Sequence, residues 1–407
     1  MRIAYLVSQY PASSHTFIRR EVDALRAKGL DIQTFSVHRP REAERTSEAD
    51  RLAFAETVYL MPVSVKVLAS AHCEAFVRRP GAYFSTLRLA WRHRPPGSRA
   101  LLWSCFHFAE AIVLIRYLRA LNIDRLHNHF ANSGATVGLL ATHYLEMPWS
   151  LTLHGISESE YPAGLLLSQK IEAARFVACV SWFGRAQAMR ATPATQWAKM
   201  VIARCGLDLD SLRDVRAAAR ESSARRMICV ARLSPEKGHI GLLEVFARMR
   251  ADGVNAQLIL VGDGPERERI ERHAAHLQIE GAVVFRGRLD VNTTLAEIAA
   301  SDLLVLPSFM EGLPVVLMEA MALGVAVVAS RVAGVPELID DGVEGLLFRP
   351  GDWDDLYVKM MRACADDELR TKMVEAAQVK VAGEFEISGA VDPLLAGFGG
   401  LQSVGGS

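Results

Sequence analysis

Short apolar segments without polar alternation recur along the chain and are separated by amphipathic helical patterns. In the first half they predict strands at residues 3–7, 32–37, 126–130, 150–153, 176–180 and 199–203. In the second half they predict strands at residues 227–231, 257–261, 283–285, 303–306 and 326–329. A strand that is apolar on both faces is typical of a parallel sheet covered by helices on both sides. The chain is therefore predicted to be α/β, with two doubly wound, Rossmann-like domains facing across a cleft.

The alternation is interrupted once, between Gly206 and Arg225, where polar, Ala-rich and Arg-rich sequence separates the two strand series. We place the domain boundary there, so that residues 1–206 form an N-terminal domain and residues 207–384 a C-terminal domain. Residues 385–407 are predicted as a C-terminal segment that can return to the N-terminal domain and end in a Gly-rich disordered tail. Residues 58–119 are predicted to be mainly helical.

Composition excludes several classes of protein. With 50% hydrophobic and 23% charged residues, the chain has the balance of a globular protein. Its six scattered cysteines form no C-x-x-C pair, so we expect neither a disulfide framework nor structural zinc. The longest apolar stretches, residues 111–115 and 320–329, are shorter than the ~18 residues of a membrane span. The apolar run after Arg2 is also shorter than the ~7–15 residues of a signal-peptide core. A cytoplasmic location is expected.

The charges are unevenly distributed although the formal net charge is zero. Residues 1–206 contain 25 Lys+Arg and 15 Asp+Glu, whereas the remaining residues contain 21 and 31. Eight arginines lie between Arg78 and Arg119, where Glu110 is the single acidic residue and aromatic residues are interleaved. This pattern fits an anionic membrane surface. A solvated Arg-rich helical segment with its aromatic residues in the core is the alternative. No nucleic-acid-binding motif accompanies the charge, so no nucleic-acid partner is expected.

The segment from Leu303 to Ala322 combines a strand, a loop with a carboxylate, and the start of a helix. Gly312 frees the backbone, and Pro314 favours the first helical turn, whose free N–H groups suit a phosphate or pyrophosphate. Glu311 lies in the loop and Glu319 on the second helical turn, where both could contact a sugar. Alternatively, Glu311 is solvated and Glu319 caps its helix or is paired within it.

Three further strand ends carry candidate residues. Arg232 and Lys237 follow one strand and could neutralise a diphosphate, although such a pair is also common as surface charge. Gly262 and Gly264 form a tight loop after the next strand. In the first half, His154 follows a strand and precedes a glycine, which suits a ligand contact; a histidine whose hydrogen bonds are satisfied by its neighbours is the alternative.

Together these motifs resemble retaining nucleotide-sugar glycosyltransferases of family 4, which have the GT-B fold. The matching pieces are a strand with R-L-S-P-E-K-G, then V-G-D-G-P, F-R-G and E-G-L-P-V-V-L-M-E-A-M-A-L-G, in that order between residues 227 and 350. The N-terminal half is similar to colanic-acid and other exopolysaccharide transferases in Y-P-A-S-S-H-T-F-I, H-N-H-F-A and L-H-G. It departs from them twice: Pro11 to Ser14 contains no Gly-Gly turn, and His15 stands where an acidic residue is usual.

The resemblance implies an enzyme, a hexosyltransferase that moves a sugar from a nucleoside diphosphate to a glycan of an exopolysaccharide or other cell-surface polysaccharide. UDP-sugars are favoured as donors and GDP-sugars are possible. The N-terminal domain would bind the acceptor, a lipid-linked glycan, and the C-terminal domain the nucleotide sugar. The enzyme would be peripheral on the inner face of the plasma membrane, bound through residues 78–119.

The resemblance also implies residue roles. The catalytic group would be His154, beside the reacting face of the sugar, with Glu311, Arg232 and Lys237. Donor and nucleotide binding would involve Arg232, Lys237, Gly262, Gly264, Arg286, Gly287, Arg288, Leu289, Glu311, Gly312, Leu313, Pro314, Val315, Val316 and Glu319. The acceptor side would include Ser14, His15, Thr16 and His129.

Within this set, Glu311 would contact the sugar hydroxyls and Glu319 the ribose, while Arg232 and Lys237 would bind the distal phosphate. Backbone amides of residues 313–316 would bind the proximal phosphate, and the loop of residues 286–289 would border the base. Because these groups neutralise the diphosphate, neither a metal nor a cofactor is expected.

Three alternatives remain at this point. Gly262 and Gly264 after a strand could belong to an NAD-dependent oxidoreductase, but Arg267 stands where the third glycine is needed. An epimerase of nucleotide sugars could use the same scaffold. A binding partner without activity, in a polysaccharide assembly complex, is the third alternative. The intact set of Arg232, Lys237, Glu311 and Glu319 favours an enzyme over that partner.

Overall fold

The computed structural model describes residues 1–12, 15–41, 47–160, 162–219 and 224–399. These divide into two compact units. The N-terminal unit comprises Met1–Arg204 together with the segment that begins at Val391, and the C-terminal unit comprises Cys205–Ala390. The sequence-based boundary after residue 206 lies two residues beyond the end of the first stretch.

The N-terminal unit is built on a seven-stranded sheet in which every neighbouring pair is parallel, in the order β3-β2-β1-β4-β5-β6-β7. Its strands are β1 Arg2–Gln9, β2 Asp31–His38, β3 Val58–Met61, β4 Arg125–His129, β5 Trp149–Leu153, β6 Val177–Cys179 and β7 Met200–Ile202. Its helices, in order, are α1 Thr16–Ala27, α2 Glu48–Glu56, α3 Val65–Arg78, α4 Pro80–Arg92, α5 Ser98–Ala120, α6 Ser133–Leu145, α7 Gly164–Ala173 and α8 Trp182–Arg190. The order of the strands reverses at β1 and β4, which is where ligands of such sheets bind.

The C-terminal unit contains a six-stranded parallel sheet in the order β10-β9-β8-β11-β12-β13. Its strands are β8 Arg225–Val230, β9 Ala256–Val261, β10 Val283–Gly287, β11 Leu303–Leu306, β12 Ala326–Ser330 and β13 Leu346–Phe348. Its helices are α9 Leu209–Arg213, α10 His239–Ala251, α11 Arg267–His276, α12 Val291–Ala299, α13 Val315–Ala322, α14 Val335–Leu338, α15 Trp353–Ala365, α16 Asp367–Glu384 and α17 Ile387–Ala390. Here the order reverses at β8 and β11.

The prediction of two doubly wound α/β domains is confirmed, and each predicted strand is present. Two strands were not predicted, β3 and β13. Both lie at the edge of a sheet and contain only four and three residues. A pattern that short cannot be distinguished from a loop by periodicity, because an edge strand needs one partner and little apolar surface.

Helix α5 is the one described helix that is long and apolar enough to cross a membrane by length and composition. Half of its most apolar window is buried inside the N-terminal unit. Its C-terminal turns contribute Ile112, Leu114 and Leu118 to the core, whereas Trp103 and Phe106 on its N-terminal turns are exposed. The helix is therefore a core element whose first turns project an apolar surface.

The last helix, α18 Asp392–Gly399, packs on the N-terminal unit. Nζ of Lys28 lies 2.5 Å from the Asp392 carboxylate, and the Arg125 guanidinium donates to the Phe398 carbonyl at 2.8 Å. The buried Phe398 ring packs against His127 and Phe176. The end of the described chain is thus part of this unit's core. Of the Gly-rich tail predicted over residues 397–407, the first three residues are part of α18, and the rest lies outside the described residues.

His93, at the end of α4, and His107, on α5, predict a loss of stability in mild acid. Burial, followed by the charge of Lys170, lowers the pKa of His93 and of His107 to about 4, from 6.5. Between pH 6.5 and about 4 the unfolded chain therefore binds more protons than the folded one, so stability falls as the pH falls through this range. We expect a lower thermal midpoint at pH 5.0 than at pH 7.5, measured by calorimetry.

The double variant His93→Gln/His107→Gln should show a smaller difference between the two midpoints. A midpoint that rises on acidification, or a difference that the double variant leaves unchanged, would contradict this assignment.

Candidate active site

In the C-terminal unit, the loops after β8 and β11 bring Lys237 and Glu311 together. Nζ of Lys237 donates to Oε1 of Glu311 at 2.6 Å, and both side chains are largely shielded from solvent. Lys237 ends the 3₁₀ turn Pro235–Lys237, and the Phe309 N–H donates to the Glu236 carbonyl at 2.8 Å. This backbone contact ties the two loops to each other, so the ion pair is held at the carboxyl edge of the sheet.

Gly238 makes this junction possible. Its φ of +69° lies in the left-handed region, and a Cβ there would stand 2.1 Å from the Pro307 carbonyl oxygen. A side chain at this position would have to push the two loops apart. Glycine thus allows the close approach that places Lys237 beside Glu311.

Gly262 and Gly264 lie against the loop that contains Arg232. A Cβ on Gly262 would stand 2.0 Å from the Ala231 carbonyl oxygen, and one on Gly264 would stand 2.2 Å from that of Leu233. The Leu233 N–H also donates to the Asp263 carbonyl. The structure therefore accounts for both glycines by close backbone packing, which leaves the exposed Arg232 at the edge of the sheet.

The start of α13 lies in the same unit, after β11. Pro314 is the N-cap residue in an extended conformation, and Val315 begins the helix. The first N–H groups of a helix have no intrahelical acceptor, so Val315 and Val316 can present donors to a phosphate, whereas Pro314 has no N–H. Glu319 lies one turn further on and is largely buried. Gly312, just before the helix, accepts a hydrogen bond from the Gly334 N–H, and Leu313 is buried.

The loop predicted to border a base follows the edge strand β10. Nε of Arg286 lies 3.2 Å from Oε1 of Glu297 on α12, and the second oxygen of Glu297 contacts the buried Arg226. Gly287, with φ of +67°, accepts a hydrogen bond from the Gly262 N–H at 2.8 Å. Arg286 therefore has a defined position, whereas Arg288 is exposed and Leu289 is half-buried.

In the N-terminal unit, His129 and His154 meet at the ends of β4 and β5. Nδ1 of His129 lies 2.9 Å from Nε2 of His154, and the two rings are stacked with centroids 5.1 Å apart. On its other side, Nε2 of His129 lies 3.2 Å from Oε1 of Glu21. Glu21 also accepts a hydrogen bond from the hydroxyl of Tyr5 at 3.0 Å. Two of the predicted residues thus belong to one chain of polar contacts.

The predicted acceptor-side residues are only partly brought together. The His15 ring packs on Phe130, which in turn packs on His154 with centroids 4.6 Å apart. Thr16 is the first residue of α1. Ser14 lies outside the described residues.

Burial, then the charges of His129, His15 and His127, lower the pKa of His154 well below its usual value. His154 is therefore neutral at physiological pH.

Besides Glu21, sequence inspection missed the buried Glu158 and Lys170. Oε2 of Glu158 accepts the N–H groups of His154 and Gly155 at 2.5 and 2.8 Å, and its Oε1 accepts that of Ala131 at 2.5 Å. Lys170 donates to the carbonyls of Ala131 and Asn132 at 2.6 and 2.9 Å. Burial raises the pKa of Glu158 and lowers the pKa of Lys170 to about 7. The available signals were an acid four residues after the L-H-G histidine and one Lys in the apolar helix α7.

Three buried ligand-type side chains, Glu21, His127 and His129, place one atom each within 4.8 Å of one another in the described part of the chain. Hydrogen bonding already engages much of this group. The His127 nitrogens lie 2.8 Å from the hydroxyls of Ser150 and Thr152, and Glu21 accepts from Tyr5. The prediction that no metal is required stays a prediction.

Comparison with known proteins identifies the C-terminal unit. Residues 213–380 match the family described as glycosyl transferases group 1. The chain is 25% identical to the putative colanic acid biosynthesis glycosyltransferase WcaL of Salmonella typhimurium, across 95% of this chain and 96% of that protein. It is 26% identical to the amylovoran biosynthesis glycosyltransferase AmsK of Erwinia amylovora, with the same coverage.

The fold is shared with solved structures. HepE of Anabaena, crystallised with UDP, superposes with a TM-score of 0.73 at 18% identity, covering 98% of this chain and 100% of that one. The same protein with UDP-glucose superposes with a TM-score of 0.74 at 17% identity. At this identity the likeness concerns the fold, and it confirms the predicted GT-B class.

The three hydrogen bonds to Glu158 predict the effect of a Glu158→Gln variant. Because both carboxylate oxygens accept backbone N–H groups, the amide must place its NH₂ against at least one donor. We expect a loss of about 1–3 kcal/mol in the free energy of unfolding. Thermal unfolding should show a midpoint lower by roughly 2–10 °C. Glu160→Gln, an exposed site two residues away, is the matched control and should leave the midpoint unchanged. Equal midpoints for the two variants would contradict this role of Glu158.

Proposed function

We propose that this chain, a glycosyltransferase whose residues 213–380 form a glycosyl transferases group 1 domain, moves a sugar from a nucleoside diphosphate to a glycan with retention of anomeric configuration. The observation that carries the proposal is the Lys237–Glu311 pair at the carboxyl edge of the second sheet, 2.6 Å apart. It combines a cation for phosphate with a carboxylate for sugar hydroxyls. The enzyme is assigned to family 4.

The charges at this edge suit a diphosphate leaving group. Lys237 and the exposed Arg232 follow β8, while the start of α13 follows the adjacent strand β11. Positive groups and helix N–H donors stabilise the negative charge that develops as the bond to the sugar breaks. The proposal therefore requires no metal, and Glu319 on α13 is assigned to the ribose.

A UDP-sugar is the favoured donor, and a GDP-sugar is the second candidate. The solved HepE structures hold UDP and UDP-glucose in a chain of the same fold. Arg286, fixed by Glu297, lies at the end of β10, where the loop of residues 286–289 is assigned to the base. The acceptor hydroxyl attacks from the side on which the diphosphate departs, and His154 is assigned to the reacting face.

The rival activities use the same elements differently. For an NAD-dependent oxidoreductase, Gly262 and Gly264 would have to receive a dinucleotide, but their Cβ positions are occupied by the backbone of the neighbouring loop. An epimerase would release a free nucleotide sugar of changed configuration. The group 1 match favours a transferase over both.

A donor screen tests the proposal. UDP-, GDP- and ADP-sugars and NAD are added separately, and the thermal midpoint and release of nucleoside diphosphate are measured. We expect one nucleotide class to stabilise the wild type, and Glu311→Ala to lose most of that shift while exposed Glu268→Ala keeps it. Stabilisation by NAD and by none of the nucleotide sugars would overturn the assignment.

Lys237 gives a kinetic prediction on the same system. Lys237→Ala should lower kcat by roughly 10²–10³-fold, because a preorganised cation is lost from the leaving group. Lys372→Ala removes a lysine from an exposed ion pair on α16 and should leave kcat unchanged. NMR of the product anomeric proton reports retention. An inverted product would contradict the retaining mechanism, and equal kcat values for the two variants would contradict the role of Lys237.

We further propose that the acceptor is a lipid-linked glycan of an exopolysaccharide, met at the inner face of the plasma membrane. The relatives WcaL and AmsK carry names from colanic acid and amylovoran biosynthesis. Helices α4 and α5 expose large apolar side chains, Phe84, Trp91, Leu102, Trp103 and Phe106, each between 48% and 58% accessible. Exposed arginines at 88, 92 and 99 lie among them. Aromatic residues beside arginines suit the boundary between lipid headgroups and acyl chains.

Flotation with liposomes tests this surface. Wild-type protein should float with vesicles containing phosphatidylglycerol and less so with neutral vesicles or in 0.5 M salt, since each Arg near an anionic surface contributes about 1 kcal/mol. Arg88→Gln/Arg92→Gln/Arg99→Gln should weaken flotation, and so should Trp103→Ser/Phe106→Ser. Arg269→Gln/Arg272→Gln, on exposed positions of α11, is the control. Wild-type protein that never floats would refute the membrane proposal without affecting the donor screen.

A further inference from the structure

The side chain of His154 is the last member of a chain of polar contacts that begins with a buried tyrosine. The Tyr5 hydroxyl donates to Oε1 of Glu21, which faces Nε2 of His129, whose Nδ1 meets Nε2 of His154. His129 is fully buried, and Tyr5 and Glu21 are 1% and 8% exposed. His154 is assigned to the reacting face of the sugar. Tyr5, Glu21 and His129 are not assigned to the sugar themselves, so they act through the position and the protonation of His154.

The charge of Glu21 decides which nitrogen of His129 carries the proton. An ionised carboxylate only accepts hydrogen bonds, and Oε1 already accepts one from Tyr5. A lone pair on Nε2 of His129, 3.2 Å from the same oxygen, would face negative charge. The proton therefore belongs on Nε2, although its N–H is not aligned for a full hydrogen bond with Glu21. In the neutral His129 ring, Nδ1 is then an acceptor.

This state of His129 fixes the tautomer of His154. With an acceptor on Nδ1 of His129, the 2.9 Å contact requires Nε2 of His154 to be the donor. Nδ1 of His154 then carries a lone pair. The surroundings leave the ring little freedom, because Phe17 and Phe130 pack on it with centroids 4.8 and 4.6 Å away, and Glu158 holds its backbone N–H.

We infer that Glu21 and His129 are positioning residues that hold His154 as the Nε2–H tautomer, so that Nδ1 is a hydrogen-bond acceptor for a hydroxyl of the sugar substrate. This inference rests on the proposed function, because it takes His154 to face that substrate. Tyr5 anchors the carboxylate of Glu21. A neutral His154 with one free lone pair accepts a hydroxyl hydrogen, which an imidazolium or the other tautomer at Nδ1 would not do.

The tautomer is measured directly by ¹⁵N NMR of histidine side chains in the full chain, without any substrate. The His154 signals are assigned by their loss in His154→Gln. We expect the wild type to show a protonated Nε2 and an unprotonated Nδ1 at pH 7.5. A His154 protonated on Nδ1, or on both nitrogens, would overturn the inference, whatever the enzyme's activity.

Variants of Glu21 separate its charge from its shape. Glu21→Ala should give a mixture of His154 tautomers and lower kcat by about 10- to 100-fold with the donor KM unchanged, as losses of a histidine's supporting partner do in other sites. Glu21→Gln keeps an acceptor oxygen and should fall between Glu21→Ala and wild type. Asp23→Asn, an exposed residue on the same helix, is the matched control and should change neither readout.

Thermal midpoints show whether each variant is folded, and a structural role alone would lower the midpoint without changing the His154 tautomer. Such a result in folded Glu21→Ala would refute the inference that Glu21 and His129 set the tautomer of His154. If the tautomer is as inferred but His154→Gln keeps full activity, that inference stands and the proposed role of His154 fails. If no nucleotide sugar binds, the proposed function fails while the NMR result still decides the inference.

Discussion

Parallel pairing of buried strands is the constraint on which the rest of the structure depends. A strand covered by helices on both faces must satisfy its N–H and C=O groups in the sheet, and parallel strands present all their carboxyl ends at one edge. In the second sheet this places the loops after β8 and β11 side by side, which is why Lys237 and Glu311 meet despite their distance in sequence. In the first sheet it places His129 and His154 together.

Close backbone approach is the second requirement of these edges. Gly238 lets the two loops around Lys237 touch, and Gly262 and Gly264 let the loop after β9 lie on the loop after β8. In each case a Cβ would stand about 2 Å from a carbonyl oxygen, so no flexible neighbour could move aside to accept it. Because these glycines have no Cβ, the neighbouring loops can pack against each other. This packing holds the charged side chains on those loops in place.

In the first unit, buried carboxylates hold the residues at the strand ends in place, as close-packed glycines do in the second unit. Glu158 accepts three backbone N–H groups from the loops after β4 and β5, and Glu21 faces His129. A buried carboxylate is costly unless each oxygen has donors. Glu158 meets that condition with backbone donors, which fixes the backbone of His154, whereas Glu21 acts on its side chain through His129. One histidine is therefore held at two points by two different acids.

The sequence by itself determined the α/β class, the two series of strands and the motif residues at their ends, because apolar runs, glycines and helix starts are local signals. It also located Lys237, Glu311 and His154. It missed the edge strands β3 and β13, and it missed Glu21, Glu158 and Lys170. Their roles come from partners on other elements: Glu158 reaches back to Ala131, and Glu21 on α1 meets His129 on β4. Such contacts have no spacing in the sequence, since the order of strands in a sheet differs from their order in the chain. Only the tertiary structure could decide them.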